Sequence, residues 1–395
     1  MKKKILFISH MYPTNFDKSY GKVIHEQALS LIERGYEVKV ICPFPFVPPF
    51  LKYFKKRYQK LNLLSKSELH DNIEVYYPQY ISLPRALLFN YSGSLMYYGI
   101  LKQVKEVRKN FKFDIIHAHF TLPDGEAALK ISKYFKVPLV TTIQATDLDI
   151  TIHRNKQSEK KVREVLKNAQ AVITPTPRLQ LQLERVFDIS SSAIGYGVDI
   201  ESTISNTSSH PLLKNNNEIV IVSVSRLLKT KGIEYNIEAI NLLKEKFGNI
   251  RYLIVGDGPE KERLEKIVKQ KELEDIVIFT GKQSKKRTME FIATSNIFSL
   301  PSWQETFGLV YLEAMINEKP VIGCEGQGFD GIITHNKNGF LAKPKDYKSV
   351  HGIMEYIIEN PLKIKEISLA AKHTVITNFS FKEIAEKIGC IYEDL

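Results

Sequence analysis

The chain has 395 residues, 43% of them hydrophobic and 25% charged, which suits two or three globular domains and excludes a disordered or fibrous polypeptide. The formal net charge of +12 points to an anionic partner, whether phosphate-bearing substrate, nucleic acid or lipid headgroup, without choosing among them. Cys42, Cys324 and Cys390 are scattered with no Cys-x-x-Cys pair or zinc spacing, so a disulfide framework is excluded and a reducing cytoplasm is expected.

The opening MKKKILFISH carries an apolar run only from Ile5 to Ser9, too short for a signal peptide, and reads as a first buried strand. Ile24, Ala28, Leu31 and Ile32 recur at helical spacing and predict a helix before the next run, YEVKVIC from Tyr36. FPFVPPFLKYFKKRYQKLNLLSKS, residues 44–67, then interleaves aromatics with Lys52, Lys55, Lys56, Arg57, Lys60 and Lys66, a composition suited to an anionic membrane surface. No nucleic-acid motif accompanies it, so a nucleic-acid partner is not expected. The apolar segment from Leu83 is interrupted by Arg85 and Asn90 and is not a transmembrane helix. Further compact runs rich in Ile and Val follow: NIEVYYP from Asn72, FDIIHAHF from Phe113, VPLVTTI from Val137 and QAVITPT from Gln170. Continuous apolar strands separated by helices predict a parallel sheet covered on both faces. Residues 191–218 are rich in Ser, Asn, Gly and Pro, as a linker is. The pattern then restarts with NEIVIVSVSR from Asn217, IRYLIVGDG from Ile250, DIVIFTG from Asp275, NIFSLPS from Asn296 and KPVIG from Lys319. Two doubly wound α/β domains joined near residue 200 are therefore expected, with ligands bound beyond the carboxyl ends of the strands.

Three stretches of the second half carry chemistry. In SVSRLLKTKGIE, Arg226 and Lys231 stand at a strand end beside a helix start, where a guanidinium fork and a point charge can hold different oxygens of a diphosphate. In PSWQETFGLVYLEAM, apolar spacing predicts a helix starting near Phe307 or Gly308, whose unpaired amides and positive dipole favour a phosphate. Glu313, in that helix, cannot assist a phosphate but can accept two hydrogen bonds from a ribose diol, while Glu305 reaches towards whatever the phosphate carries. Phosphate flanked by ribose and a polyhydroxyl group is a sugar nucleotide. GQGFDG, residues 326–331, matches G-x-G-x-x-G but stands late in its domain with no acidic residue about 20 positions on, and reads as a tight turn lining the donor cleft. His117 and His119 share one face of a strand without an accompanying carboxylate cluster, which favours packed histidines over a metal site.

RLLKTKG (226–232), LIVGDGPE (253–260) and PSWQETFGLVYLEAM…KPVIG (301–323) resemble the donor half of a retaining glycosyltransferase of family 4, with GT-B architecture; SHMYPT…YGKVIHEQALSLIERGYEVKVI and FDIIHAHFTLPDG resemble its acceptor half. The resemblance implies two doubly wound Rossmann-like domains facing across a cleft. Residues 1–200 would bind the acceptor, 201–376 the sugar-nucleotide donor, and the C-terminal helix 377–395 would pack back on the first domain. It implies that Arg226 and Lys231 bind the diphosphate and that Glu313 binds ribose. Glu305 and the amides of Gly308 and Leu309 after Phe307 would contact the donor sugar, with Gly21 and Gly256 in the glycine turns around the donor and Lys282 near the base. Glu305, Arg226 and Lys231 are the expected catalytic set, and no metal or cofactor is implied. Two departures stand out: Tyr20-Gly21 where Gly-Gly is frequent, and Gln144-Ala145-Thr146-Asp147 where many members have His-Gly-x-Asp. Gln144 can hydrogen-bond a hydroxyl but is no base at neutral pH. His119, Gln144 and Asp147 are the residues expected on the acceptor side.

The expectation is a cytoplasmic, metal-independent enzyme, peripheral at the inner face of the plasma membrane through residues 44–67. It would move a hexose or N-acetylhexosamine from a UDP- or GDP-sugar to a hydroxyl acceptor, such as an undecaprenyl-linked saccharide of surface-polysaccharide assembly. A sugar-nucleotide epimerase of the same architecture and a non-catalytic sugar-nucleotide-binding protein are the alternatives.

Overall fold

The computed structural model describes residues 2–48, 64–82, 89–204 and 218–395. They form two compact units, the first comprising Met1–Pro175, Leu179–Gly197 and Phe381–Leu395, the second Thr176–Arg178 and Val198–Ser380. Most of the basic aromatic segment expected to meet a membrane, residues 49–63, lies outside the described residues. No helix among the described residues is long and apolar enough to cross a membrane.

The strands of the first unit are β1 (Lys4–Ile8), β2 (Glu37–Ile41), β3 (Phe44–Pro45), β4 (Ser67–His70), β5 (Ile73–Tyr76), β6 (Gln79–Tyr80), β7 (Ile115–His119), β8 (Leu139–Thr142), β9 (Ala171–Thr174) and β10 (Ser192–Ala193). Eight of them make one sheet in the order β10-β9-β8-β7-β1-β2-β5-β4, and β3 pairs with β6 apart from it. Every pairing in the large sheet is parallel except β4 with β5. The six apolar runs read from the sequence are β1, β2, β5, β7, β8 and β9. All five residues of β7 are buried, as a strand covered on both faces requires. The antiparallel edge strand Ser-Glu-Leu-His has three polar residues and an exposed Leu69, and so leaves no apolar run to find. Helices Lys22–Glu33, Ser92–Asn110, Glu126–Phe135 and Lys156–Asn168 connect the strands. The last helix, Phe381–Glu393, belongs to this unit and buries Ile384, Ala385, Ile388 and Tyr392.

The second unit holds β11 (Ile219–Val224), β12 (Ile250–Val255), β13 (Val277–Gly281), β14 (Ile297–Ser299), β15 (Val321–Cys324) and β16 (Phe340–Ala342) in the order β13-β12-β11-β14-β15-β16, all parallel. Only the three-residue β16 is absent from the sequence reading. In both units the chain winds outwards one way and then restarts on the other side of the first strand. The first unit thus reverses direction between β1 and β7, and the second between β11 and β14. Ligands of open α/β sheets bind in the crevice outside the carboxyl ends at such a switch point, because the connecting loops part there.

Candidate functional site

In the second unit, the expected donor residues follow the carboxyl ends of four adjacent strands. Arg226 comes two residues after β11, Gly256 directly after β12, Lys282 directly after β13, and the loop 300–308 after β14. Arg226, Gly256 and Lys282 line one hollow of about 500 Å³ together with Ser225, Asp257 and Gln283. Beneath it the buried Ser223, Asn236, Tyr252 and Ser299 form a polar network. The Tyr252 hydroxyl lies 2.7 Å from the Ser223 oxygen, Asn236 donates to the Ser299 carbonyl at 3.1 Å, and the Ser299 hydroxyl donates back at 2.7 Å. This ties β11, β12 and β14 to the helix Ile233–Lys246 just below the loops that carry the site.

Lys231 and Glu305 meet at the switch point. Lys231 ends a short 3₁₀ turn after β11, Glu305 lies in the loop after β14, and Nζ stands 2.7 Å from the carboxylate with both side chains largely buried. The two loops are stitched together where Trp303 N and the Ser302 hydroxyl donate to the Thr230 carbonyl at 3.0 and 3.1 Å. Lys231 and Glu305 do not line the Arg226 hollow; the loop 225–232 connects them to it. Phe307 is buried, and Gly308 is the N-cap of the helix Leu309–Ile316 with φ 81°, a conformation that leaves the first helical amides free of a side-chain cap. A Cβ on Gly308 would come within 2.6 Å of the Tyr311 ring and 3.2 Å of Glu305 Cγ. Glu313, in the second turn of that helix, is paired with Lys285, which the sequence reading had not singled out. Lys285 opens the helix Lys285–Thr294, which also brings Thr288 to the hollow.

The turn 326–331 also bears on Glu305. Gly328 N donates to the Glu305 carbonyl at 3.1 Å, and Glu305 N reaches Gln327 Oε1 at 3.4 Å. A Cβ on Gly328 would collide with the Thr306 carbonyl. The segment read as a tight turn is thus a clamp on the backbone that carries Glu305.

The first unit contains the other expected residues. Gly21 is the left-handed N-cap of the helix Lys22–Glu33, packed on the backbone of Met11 and Tyr12. Asp147 is buried and accepts from Thr121 N and Oγ1 and from Gln144 N, at 3.2, 2.7 and 2.9 Å, so it fastens the segment after β8 to the one after β7. Burial pushes its carboxyl up to about 6 against those hydrogen bonds, which pull it down. Gln144 accepts from the Tyr196 hydroxyl at 2.7 Å. His119 is fully buried and stacked on His117 at 4.6 Å, neither ring nitrogen has a hydrogen-bond partner among the described residues, and burial pushes its imidazole down to about 3. Its ring offers no nitrogen at the surface. His117 has both nitrogens engaged, Nδ1 with the Tyr392 hydroxyl at 2.5 Å and Nε2 with Thr142 Oγ1 at 2.7 Å. Sequence reasoning missed a further pair: His10 after β1 and Asp124 after β7, with Nδ1 2.6 Å from the carboxylate. The only trace of it in the sequence is one His and one Asp just past two strands.

Comparison with known proteins places this arrangement. A family model described as Glycosyltransferase Family 4 matches residues 21–202, and one described as Glycosyl transferases group 1 matches residues 205–374. The chain belongs to glycosyltransferase family 4. Among similar sequences is "Putative teichuronic acid biosynthesis glycosyltransferase TuaC" of Bacillus subtilis (strain 168), 28% identical over 353 residues, which cover 88% of this chain and 87% of that one. A sucrose-phosphate synthase from Thermosynechococcus elongatus superposes with TM-score 0.78 at 19% identity, over 100% of this chain and 99% of that one. Anabaena Alr3699/HepE in complex with UDP gives TM-score 0.75 at 20% identity, over 100% of both chains. These likenesses establish the two-domain Rossmann-like GT-B fold of this family-4 enzyme.

Proposed function

We propose that this glycosyltransferase moves a hexose or N-acetylhexosamine, with retention and without a metal, from a UDP- or GDP-sugar to a hydroxyl acceptor in surface-polysaccharide assembly of the teichuronic type. The observation that carries the reading is the meeting of Lys231 and Glu305 at 2.7 Å, at the switch point of the second unit and beside the Gly308-capped helix. A nucleoside diphosphate needs a cation and free amides, and its sugar needs a carboxylate; this corner supplies all three. Arg226, Gly256 and Lys282 would hold the diphosphate and base end of the donor, Glu313 the ribose, and Glu305 with the amides of Gly308 and Leu309 the sugar. The named relative in teichuronic acid biosynthesis supports the polysaccharide context, and the structural neighbour holding UDP supports a uridine donor. A lipid-linked acceptor at an anionic membrane surface rests on the composition of residues 44–67.

As the glycosidic bond breaks, negative charge grows on the leaving diphosphate, and Arg226, Lys231 and the helix N-terminus would stabilise that charge more than the ground state. The Lys231 ammonium lies on Glu305, so a diphosphate bound beside the pair would compete for that ammonium and leave a carboxylate oxygen to the sugar. The test is a screen of UDP- and GDP-sugars for thermal stabilisation, followed by kinetics with the best donor. Arg226→Ala and Lys231→Ala are each expected to lower kcat by about 100-fold or more, the order seen when one such donor is lost. Near-normal turnover by both variants would reject the assignment.

A further inference from the structure

The switch point of the first unit holds a second built pair. His10 lies two residues beyond the end of β1, and Asp124 five residues beyond the end of β7. These strands are neighbours in the sheet, although the residues are 114 positions apart in the chain. Asp124 is fully buried and held from two sides by the same residue, His10 N donating to Oδ1 at 3.1 Å and Nδ1 facing Oδ2 at 2.6 Å. The Phe120 ring lies against the imidazole at 4.8 Å. With Nδ1–H committed to the carboxylate, the tautomer is fixed and Nε2 is the remaining polar atom. Among the described residues Nε2 has no hydrogen-bond partner, and the His10 side chain is 29% exposed while that of Asp124 is 0% exposed. A buried carboxylate orienting a ring whose other nitrogen stands open is how a protein aims an imidazole at a ligand. Asp147, whose charge acts on His10, also bonds the backbone of Gln144, so the pair adjoins the element in which many family members carry a histidine. Here that position is Gln144, and its side-chain oxygen is occupied by Tyr196.

We propose that His10, held by Asp124, is the group that grips a hydroxyl of the sugar acceptor through its open Nε2. The inference rests on the reading of the chain as a transferase with a hydroxyl acceptor. The charged groups facing the imidazole are Asp124 and Asp147, with the Cys42 thiol and Tyr80 hydroxyl beside Asp124. Burial keeps both of these neutral, raising Cys42 well above the usual thiol range and Tyr80 to about 12. Burial pulls the His10 imidazole down, but the Asp124 carboxylate outweighs it and leaves the ring holding its proton to higher pH than usual.

The test uses the full chain, the best UDP-sugar from the donor screen, and a panel of octyl glycosides as acceptors. His10→Phe is expected to raise the acceptor KM at least tenfold with the donor KM and the UDP-induced thermal shift unchanged. His10→Gln, which keeps a polar tip that does not titrate, should recover part of that loss and abolish the change in acceptor kcat/KM with pH near the His10 titration. Asp124→Asn should move that change to lower pH, because the charge that raises the imidazole is gone. An acceptor KM within twofold of wild type in His10→Phe overturns the inference; so does an equal rise in the donor KM, or the same pH dependence in His10→Gln. If His10→Phe fails to fold, His10→Gln and Asp124→Asn decide. Transfer to no acceptor by the wild type would instead sink the transferase reading, and this inference with it.

Discussion

At the scale of single residues, the two histidines of HAHF show what a sequence can and cannot carry. Their shared strand face was legible from the two-residue period, and the rings do stack at 4.6 Å. Nothing local shows that, among the described residues, His117 is hydrogen-bonded on both nitrogens and His119 on neither, because the partners of His117 come from β8 and from the far end of the chain. The same applies to His10 and Asp124, which the topology alone brings together. His119 packs its ring against Phe7 and His117 and holds two polar atoms inside the unit with no partner among the described residues. A buried polar group left unsatisfied costs about 1–3 kcal/mol, while an apolar side chain of similar size in its place carries no such cost. His119→Leu is therefore expected to raise the unfolding free energy of the first unit by roughly 1 kcal/mol or more, read as a higher urea midpoint with unchanged slope. A lower midpoint would mean that the ring has a partner after all.

At the scale of elements, the central strands and the helix Leu309–Ile316 were legible because each has a local signature: continuous apolar runs for strands buried on both faces, and Gly308 followed by helical spacing for the helix. The support of the Glu305 loop was not, because its hydrogen bonds come from a turn about 22 residues away whose sequence shows only its tightness. That turn holds both the amide and the carbonyl of Glu305, and Gly328 lies so close to the Thr306 carbonyl that a methyl group must displace one or the other. A reacting group misplaced by about 1 Å can lose on the order of 100-fold in rate. Gly328→Ala is expected to lower kcat by that order while the chain stays folded, since the strain falls on a loop and not on the sheet. Gln327→Ala, which gives up only the 3.4 Å bond to the Glu305 amide, should lose less. Equal, near-normal rates for the two variants would show that the turn does not hold Glu305 in place.

At the scale of the whole molecule, the restart of the strand series near residue 217 made the two-domain organisation visible. The completion of the first unit is not in that pattern, and the return of the terminal helix was expected only from the family resemblance. The first unit takes its last helix from Phe381–Leu395, after the chain has built the second unit between Val198 and Ser380. That helix sinks Ile384, Ile388 and Tyr392 to 2%, 0% and 0% exposure, and the Tyr392 hydroxyl meets His117 Nδ1 within the sheet. Full burial of a large apolar side chain is worth about 1.5–3 kcal/mol, so three of them contribute roughly 5–9 kcal/mol. Whole domains are stable by only about 5–15 kcal/mol. A chain ending at Ser380 should therefore lose most of the protection of the first unit while the second, which gives no residue to this helix, keeps its own fold. Hydrogen exchange read by mass spectrometry resolves the two: exchange in β1, β2 and β7 should rise towards the unfolded rate, while β11, β12 and β14 stay protected and UDP still slows exchange in the loops after them. Tyr392→Phe separates packing from hydrogen bonding, because it keeps the ring and strands only His117 Nδ1. That variant should open the first unit by about 1–3 kcal/mol and leave it folded. Full protection of β1 and β7 in the truncated chain would show that the first unit closes its core without the terminal helix.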